Sequence, residues 1–301
     1  MTAALVAVIR PPINNPNGRL TIHFLDVGQG DCALVVFPHG KTMLVDGGGE
    51  LRFDRREQES RGYEEEDGEK DFTDNTFSIG EAVVSRFIWS QGRTRVDYVL
   101  ATHAHADHIG GLSDVVRNLS VGQAIVGHAP AADREYDQFA KAVNKYGIQL
   151  SAVSAGERFE IDGVSIEVLW PPPAYGSQVT SGNDDSVVLR LVSGSVSILL
   201  AGDIEQAAED SLVASGADLH ADILKVPHHG SRTSSTEAFI NAVSPRYAVI
   251  SVGERSRFGH PHRAVVDRYL ARGVKLLQTG RDGMVTVETD GSSLDVRTYR
   301  K

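Results

Sequence analysis

The sequence is almost without cysteine, since Cys32 is the only one among its 301 residues. A single thiol allows neither an internal disulfide nor a metal site built from several thiolates. Cys32 lies in an apolar, strand-like run, and we expect a buried, unreactive side chain there. A metal bound by this chain would therefore be held by imidazole and carboxylate groups.

Long apolar runs are also absent, because no stretch reaches the roughly 18 apolar residues that suggest a membrane-spanning helix. The segment 1–19 has a short apolar stretch but no basic leader, and it soon reaches Pro11 and Pro12, so it is a poor match to a signal peptide. We interpret 1–19 as an amino-terminal extension, and we expect a soluble, cytoplasmic protein.

Positive charge is in short supply: 30 basic and 40 acidic residues give a formal net charge of −10. This balance argues against a large basic surface for nucleic acid but is compatible with a local basic rim. Five cations fall near one predicted edge of the fold and either form such a rim or are ordinary solvated charges: Lys225, Arg232, Arg255, Arg257 and Arg263.

The overall composition, with 41% hydrophobic and 23% charged residues, is that of a globular protein. We interpret 20–301 as one α/β domain. The segment at about 50–76 is highly charged and poor in apolar residues, and it contains the run Glu64–Asp67. Such a segment is typical of a surface insertion rather than of a second domain.

Histidine and aspartate are concentrated in one stretch, 102–111, which reads Thr-His-Ala-His-Ala-Asp-His-Ile-Gly-Gly. The preceding residues 96–102 alternate and are rich in β-branched side chains, which predicts a buried strand. The two glycines lead into a predicted helix, so the polar residues lie in a loop at the carboxyl end of a strand. Sites in α/β sheets are commonly found there.

This loop predicts a metal site. Imidazole and carboxylate ligands suit zinc, and more oxygen-rich sets suit manganese or iron. The spacing is too short to close one tetrahedral site, so we expect His103 and His105 to share one metal while Asp107 and His108 turn toward a second. The alternative is a polar surface loop that happens to be rich in histidine.

Four further clusters of histidine, aspartate or asparagine also follow predicted strands, at 183–185, 203, 228–229 and 260–262. The carboxyl ends of parallel strands meet at one edge of a sheet, so these loops are expected to converge. Asp203 directly follows a buried strand and a glycine, a position typical of a metal-bridging carboxylate. Asp46 ends another strand and either orients a ligand histidine or is a simple turn residue.

These clusters give the chain a resemblance to proteins of the metallo-β-lactamase fold, carried by His-x-His-x-Asp-His at 103–108, Gly-Asp at 202–203 and His-His-Gly-Ser at 228–231. More narrowly, the chain resembles the C-terminal metallo-β-lactamase-like domain of the ComEC family of DNA-uptake proteins. The further motifs that carry this resemblance are Phe-Leu-Asp-Val-Gly-Gln-Gly-Asp (24–31), Leu-Val-Asp-Gly-Gly (44–48), Asn-Asp-Asp-Ser-Val-Val-Leu-Arg-Leu (183–191), Leu-Lys-Val-Pro-His-His-Gly-Ser (224–231) and Arg-Phe-Gly-His-Pro-His (257–262).

The resemblance implies an αββα sandwich, in which two mixed sheets face each other with helices outside, and a hydrolytic site with two divalent metals. The metals would be zinc or manganese, with iron as a further option. A third histidine that usually completes the first metal site is missing, because no histidine lies between His128 and His220. Asn183-Asp184-Asp185 stands in its place, as in ComEC proteins, which argues against a β-lactamase.

The resemblance also implies a role for each site residue. Asp203 would bridge the metals, and Asp107 would be both a metal ligand and a catalytic residue. His228 would contact phosphate or donate a proton, and His262 or His260 would be the proton donor. His229 is favoured over His228 as the metal ligand. The full predicted metal set is His103, His105, Asp107, His108, Asp203 and His229, and the predicted substrate contacts are Asn183, Ser231, Arg257 and His260.

The leading prediction is a phosphodiesterase or nuclease that hydrolyses a phosphodiester, with DNA as a candidate substrate, through a metal-activated water. The first alternative is a hydrolase of a small ester, a lactone or a cyclic nucleotide. The second is a metal-binding domain without catalysis. ComEC proteins also carry a membrane channel region that this sequence does not contain, so the chain is expected to be either a free-standing relative or an excised domain.

Overall fold

The computed structural model describes residues 17–49, 78–130, 132–173 and 182–300. Most of the predicted extension 1–19, and the predicted insertion at about 50–76, lie outside the described residues. Within them, fifteen strands form two sheets.

The first sheet has eight strands in the spatial order β15-β14-β1-β2-β3-β4-β5-β6. Pairing is parallel from β3 to β6 and antiparallel elsewhere. The strands are β1 (Leu20–Phe24), β2 (Ala33–Val36), β3 (Thr42–Val45), β4 (Arg95–Ala101), β5 (Ser120–Val126), β6 (Gln149–Ala152), β14 (Val285–Thr289) and β15 (Leu294–Thr298).

The second sheet has seven strands in the order β13-β12-β11-β10-β9-β8-β7. Pairing is parallel from β10 to β13 and antiparallel from β7 to β10. The strands are β7 (Arg158–Ile161), β8 (Val164–Trp170), β9 (Val188–Ser193), β10 (Val196–Leu200), β11 (Ile223–Lys225), β12 (Tyr247–Ile250) and β13 (Lys275–Gln278).

Eight α-helices occur within the described ranges, and a π-helical segment (Gly80–Ser85) precedes the first of them. Two 3₁₀ turns lie at Asn183–Asp185 and Pro227–Gly230. The helices are α1 (Arg86–Ser90), α2 (Ala106–Ile109), α3 (Leu112–Asn118), α4 (Arg134–Lys145), α5 (Gln206–Ala214), α6 (Glu237–Val243), α7 (Arg263–Leu270) and α8 (Thr279–Asp282).

The apolar side chains form three layers of core, as the period of two along the strands requires. Alternate residues of β1 and β10, such as Ile22 and Ile198, meet between the sheets. Leu44 and Val99 point the other way and pack under α1, α3 and α4, while Leu224 packs under α5, α6 and α7. The predicted αββα sandwich is thereby confirmed.

The sheets place the predicted site at one edge. The segments that follow β3, β4, β10 and β11 carry Asp46, the 103–108 cluster, Asp203 and His228–His229 respectively. Residues from the last three of these segments line one pocket, which shows that the loops converge.

Candidate metal centre and pocket

The loop after β4 is held by backbone contacts on both sides. The Gly47 amide donates to the His108 carbonyl at 2.8 Å, and the Asp31 amide donates to the Asp107 carbonyl at 3.1 Å. Gly30 has a φ of +126°, and a Cβ there would overlap the Asp107 carbonyl oxygen, so the close approach needs glycine. The short helix α2 then turns Asp107 and His108 inward, and both are buried.

His103 and His105 converge at the first predicted metal position. His103 Nε2 lies 3.0 Å from His105 Nδ1. The other ring nitrogen of His103 contacts the hydroxyls of Thr102 and Ser186, at 3.1 and 3.2 Å. Burial, together with the neighbouring His108, lowers the pKa of His103 well below its usual value. His103 is therefore neutral, which is the form of imidazole that binds metal.

A second cluster surrounds Asp203. Its Oδ2 lies 3.1 Å from His108 Nε2 and 3.2 Å from His229 Nε2, and His229 Nε2 lies 3.4 Å from Asp107 Oδ2. Within the described residues, four groups of three side chains have ligand atoms within 4.8 Å of one another, and His105 belongs to none of them. These groups are His103-His108-Asp203, Asp107-His108-His229, Asp31-Asp46-His108 and Asp31-Asp203-His229.

The ring nitrogens of the second cluster test whether the residues suit a metal. His108 Nδ1 donates to Asp46 Oδ2 at 2.8 Å, and His229 Nδ1 donates to the Ser251 carbonyl at 2.7 Å. The Nε2 atom of each ring faces the cluster and is buried, and it makes no well-formed hydrogen bond, although Asp203 Oδ2 lies 3.1 and 3.2 Å from the two atoms. Buried polar atoms are rarely left unpaired, and a metal ion would satisfy both of these. The donor set therefore fits a divalent metal.

The carboxylates dominate the electrostatics of the metal-free cluster. Burial alone would lower the pKa of His229, but Asp203 and Asp107 raise it to about 9. The pKa of His108 is raised in the same way by Asp203 and Asp46 despite complete burial. Conversely, these imidazoles lower the pKa of Asp107 although burial opposes the change. A divalent metal that bound these imidazoles would therefore have to displace protons, so its binding is expected to strengthen as the pH rises.

Asp46 is fully buried behind this cluster. Besides His108, it accepts hydrogen bonds from the Thr102 amide at 2.8 Å and the Thr102 hydroxyl at 2.7 Å. The expectation that Asp46 orients a histidine is confirmed by this geometry. One carboxylate ties the end of β4 to the ring of His108.

Sequence reasoning missed a buried ion pair between Asp31 and Lys225. The Lys225 ammonium contacts Asp31 Oδ2, donates to the Gly202 carbonyl at 2.9 Å and lies 3.3 Å from Asp203 Oδ1. Lys225 is only 3% exposed, so it is neither part of a solvent-facing basic rim nor a solvated surface charge, and both alternatives are wrong for this residue. The available signal was a lysine within the apolar run 223–226.

The adjacent histidines of the Pro227–Gly230 turn point in different directions. His229 is buried in the Asp203 cluster, whereas His228 is partly exposed and its Nδ1 lies 3.0 Å from Glu205 Oε1. Asn183 Nδ2 donates to His228 Nε2 at 3.4 Å. Left-handed φ values of 47° and 52° at the two histidines produce this divergence.

The segment that replaces the missing histidine presents one side chain to the site. Asp184 Oδ1 accepts from the Glu205 amide at 2.7 Å, and Asp185 Oδ1 lies 3.1 Å from His128 Nδ1. Both carboxylates are thus used within the surrounding loops. Asn183 instead lines the pocket, and its Oδ1 is buried without a hydrogen-bond partner.

A pocket of about 250 Å³ opens over the clusters. Of the predicted substrate and proton-donor residues, Asn183, His228 and His260 line it, and Ser231, Arg257 and His262 do not. Ser231 Oγ lies 3.0 Å from Thr233 Oγ1, Arg257 is exposed, and His262 Nδ1 accepts from the Ala264 amide at the start of α7. The lining residues are Gln29, His105, Asp107, Asn183, Asp203, His228, His229, Phe258 and His260.

Comparison with protein families gives a match to the metallo-β-lactamase superfamily over residues 25–254. This chain belongs to that superfamily. The match takes in strands β2 to β12 and every predicted metal ligand. Members of the superfamily are metal-dependent hydrolases that typically bind divalent metals, in agreement with the clusters described above.

Two curated relatives are ComEC-family competence proteins, which confirms the narrower resemblance seen in the motifs. ComE operon protein 3 of Bacillus subtilis is 29% identical over 265 residues, which are 88% of this chain and 32% of that protein. Competence protein ComA of Neisseria gonorrhoeae is 33% identical over 213 residues, which are 70% of this chain and 28% of that protein. The chain thus spans about a third of the length of these relatives.

Among solved structures, Tm1679, described as a metal-dependent hydrolase of the β-lactamase superfamily, superposes with a TM-score of 0.51. It is 16% identical, and the match covers 90% of this chain and 99% of Tm1679. At this identity the likeness concerns the fold alone. None of the helices in the part of the chain that the structure describes is long and apolar enough to cross a membrane.

Proposed function

We propose that the chain is a two-metal phosphodiesterase that cleaves DNA. The observation that carries the metal chemistry is the pair of buried, unpartnered Nε2 atoms of His108 and His229, which both face Asp203. The choice of DNA is supported by the similarity to competence proteins. When bound, two divalent ions would activate a water and neutralise charge on the phosphate oxygens.

The chain's own residues then have distinct proposed tasks. His103 and His105 would hold the first metal, Asp107, His108 and His229 would hold the second, and Asp203 would be a further ligand. Asp46 keeps the ring of His108 turned so that Nε2 faces the site. The outer contacts of ligating histidines fix both the ring orientation and the tautomer.

Substrate contact is proposed for the residues that line the pocket above the clusters. Asn183 lines the pocket and its Nδ2 donates to His228 Nε2, and His228 is held by Glu205 at the pocket wall. His260 also lines the pocket, and burial and its histidine neighbours lower its pKa to about 4, so it is neutral. His262 remains a predicted proton donor through Nε2, because its Nδ1 caps α7.

The test is an assay of the purified chain on linear DNA and on a small phosphodiester after exchange into manganese, zinc or magnesium. We expect cleavage of DNA, and Asp107→Asn should reduce it by more than about 100-fold, since loss of an outer contact alone costs about 10–100-fold. The matched control is Asp137→Asn, which alters an exposed carboxylate on α4. Absence of DNA cleavage with every metal would refute the proposal.

The second candidate is hydrolysis of a small phosphodiester or other ester. It is favoured by one observation, the pocket volume of about 250 Å³, which is at the small end for ligand sites. Turnover of small esters without cleavage of DNA in the same assay would select this alternative.

A further inference from the structure

An aromatic ring stands exposed at the mouth of the pocket. Phe258 is 49% exposed, although large apolar side chains in this chain are mostly buried. It lies in the segment between β12 and α7, and it lines the same pocket as Asp107, Asp203 and His229. An exposed aromatic ring leaves apolar surface in contact with water, which is unfavourable. Beside a polar site, such a ring is therefore a candidate contact for a substrate.

The loop that carries the ring is held by hydrogen bonds to Ser256. The amides of Phe258 and His260 both donate to Ser256 Oγ, at 3.3 and 3.4 Å. The Ser256 hydroxyl in turn donates to Gln29 Oε1 at 3.1 Å, which joins the loop to the opposite wall of the pocket. The loop that carries Phe258 is therefore ordered before any substrate binds, which lowers the entropy cost of binding.

A line of rings connects Phe258 to the proposed metal ligands. Its centroid lies 5.9 Å from that of His260, with 31° between the planes. The His260 centroid lies 6.3 Å from that of His229, with 26° between the planes. Phe258 is thus two ring-to-ring steps from the cluster, close enough to meet a group attached next to a phosphate bound there.

The cations beside the ring suit a phosphate chain. Arg255 and Arg257 precede Phe258 in the same loop, are exposed, and make no ion pair with any described residue. These two arginines supply positive charge in the loop that carries Phe258, whereas the carboxylates of Asp107 and Asp203 line the pocket. Alternating arginine and aromatic side chains are typical of surfaces that bind single-stranded nucleic acid by phosphate contact and base stacking.

We propose that Phe258 is a stacking platform for an unpaired nucleobase next to the scissile phosphate, so that the site takes single-stranded rather than intact duplex nucleic acid. This inference rests on the proposed phosphodiesterase function. A base within a duplex is stacked between its neighbours and cannot present its face to Phe258 without being extruded. An unpaired base can stack on the ring at once.

The test compares a single-stranded oligonucleotide with one of the same length that is abasic around the cleavage site. For the unaltered chain, we expect the base-bearing strand to have a KM lower by about 5- to 150-fold, the range that corresponds to 1–3 kcal/mol per stacked base. Phe258→Ala should bring the two KM values together, and Phe258→Trp should retain the difference. Trp89→Ala, which removes another exposed ring on α1, is the matched control.

The outcomes separate this inference from the function on which it rests. Equal KM values for the two strands with the unaltered chain, or a preference that survives in Phe258→Ala, would refute the platform while leaving the nuclease intact. Faster cleavage of duplex than of single strand would also overturn it. Failure to cleave either strand with any metal would overturn the proposed function itself.

Discussion

Replacing Lys225 by methionine removes a buried charge while keeping most of the side-chain volume. Lys225 is 3% exposed in β11, and its ammonium contacts Asp31, Asp203 and the Gly202 carbonyl. Although burial by itself would lower the pKa of Lys225, Asp31 and Asp203 raise it, so the group is charged. We expect Lys225→Met to destabilise the metal-free protein strongly.

The magnitude follows from what the substitution leaves behind. Asp31 and Asp203 are 6% and 2% exposed, so neither carboxylate can recover its solvation from water. Removal of one partner from a buried ion pair typically costs about 3–5 kcal/mol. At roughly 2–4 °C per kcal/mol for a chain of this size class, the melting temperature should fall by about 6–20 °C.

A divalent metal should reverse part of this loss. Once the ammonium is gone, the cluster has a higher excess of negative charge, and a bound cation compensates for it. The difference in melting temperature between Lys225→Met and the unaltered chain should therefore be larger in EDTA than in saturating manganese.

The assay is thermal unfolding followed by circular dichroism, in EDTA and in manganese. Lys141→Met is the matched control, because Lys141 is an exposed lysine on α4. A surface substitution typically changes the free energy of unfolding by under about 0.5 kcal/mol, which corresponds to a shift in melting temperature of about 2 °C or less. If Lys225→Met shifted the melting temperature in EDTA by no more than this, the reasoning would be refuted. An equal deficit with and without metal would refute the charge-compensation step.

Three further outcomes are expected. Asp46→Asn should weaken metal binding by about 10–100-fold, measured by competition with a chelator, because His108 loses its orienting carboxylate. The raised pKa values of His108 and His229 add stability to the metal-free protein that is complete below the unfolded-state value of about 6.5. The contribution of His229 is lost as the pH rises through about 9, and that of His108 is lost as the pH rises through its own raised pKa. Apparent affinity for manganese should consequently increase over the same interval, and calorimetric titration at several pH values checks this. Gly30→Ala should lower the free energy of unfolding by about 1–3 kcal/mol more than Gly28→Ala, because both have positive φ but only a Cβ at Gly30 meets backbone.

The fold could be predicted well because its signals are local. The apolar run 196–200 and the alternating runs 285–289 and 294–298 correspond to strands with those bounds. The spacing within 103–108 predicts two groups of ligands, but the groups in the structure share His108 and leave out His105, so this assignment stays a prediction. Neighbouring residues determine such features, so these features can be predicted from the sequence alone.

Contacts between distant loops could not be predicted in this way. Asp31 belongs to the motif at 24–31, but its pairing with Lys225 depends on how the two sheets meet. The use of His262 Nδ1 as a helix cap, and the position of Ser231 outside the pocket, likewise follow from loop conformation. Such placements depend on tertiary structure, which periodicity and motif spacing do not encode.

The charge balance of the site links the missed ion pair to the proposed substrate. Four buried carboxylates surround the clusters, Asp31, Asp46, Asp107 and Asp203, and Lys225 is the ammonium that contacts two of them. The carboxylates thus exceed the ammonium by three charges. The proposed pair of divalent ions would leave the site with one net positive charge when the histidines are neutral and before the activated water loses its proton. A phosphodiester carries one negative charge, so Lys225 sets the balance at which such a substrate, rather than a neutral ester, is electrostatically complementary to the loaded site.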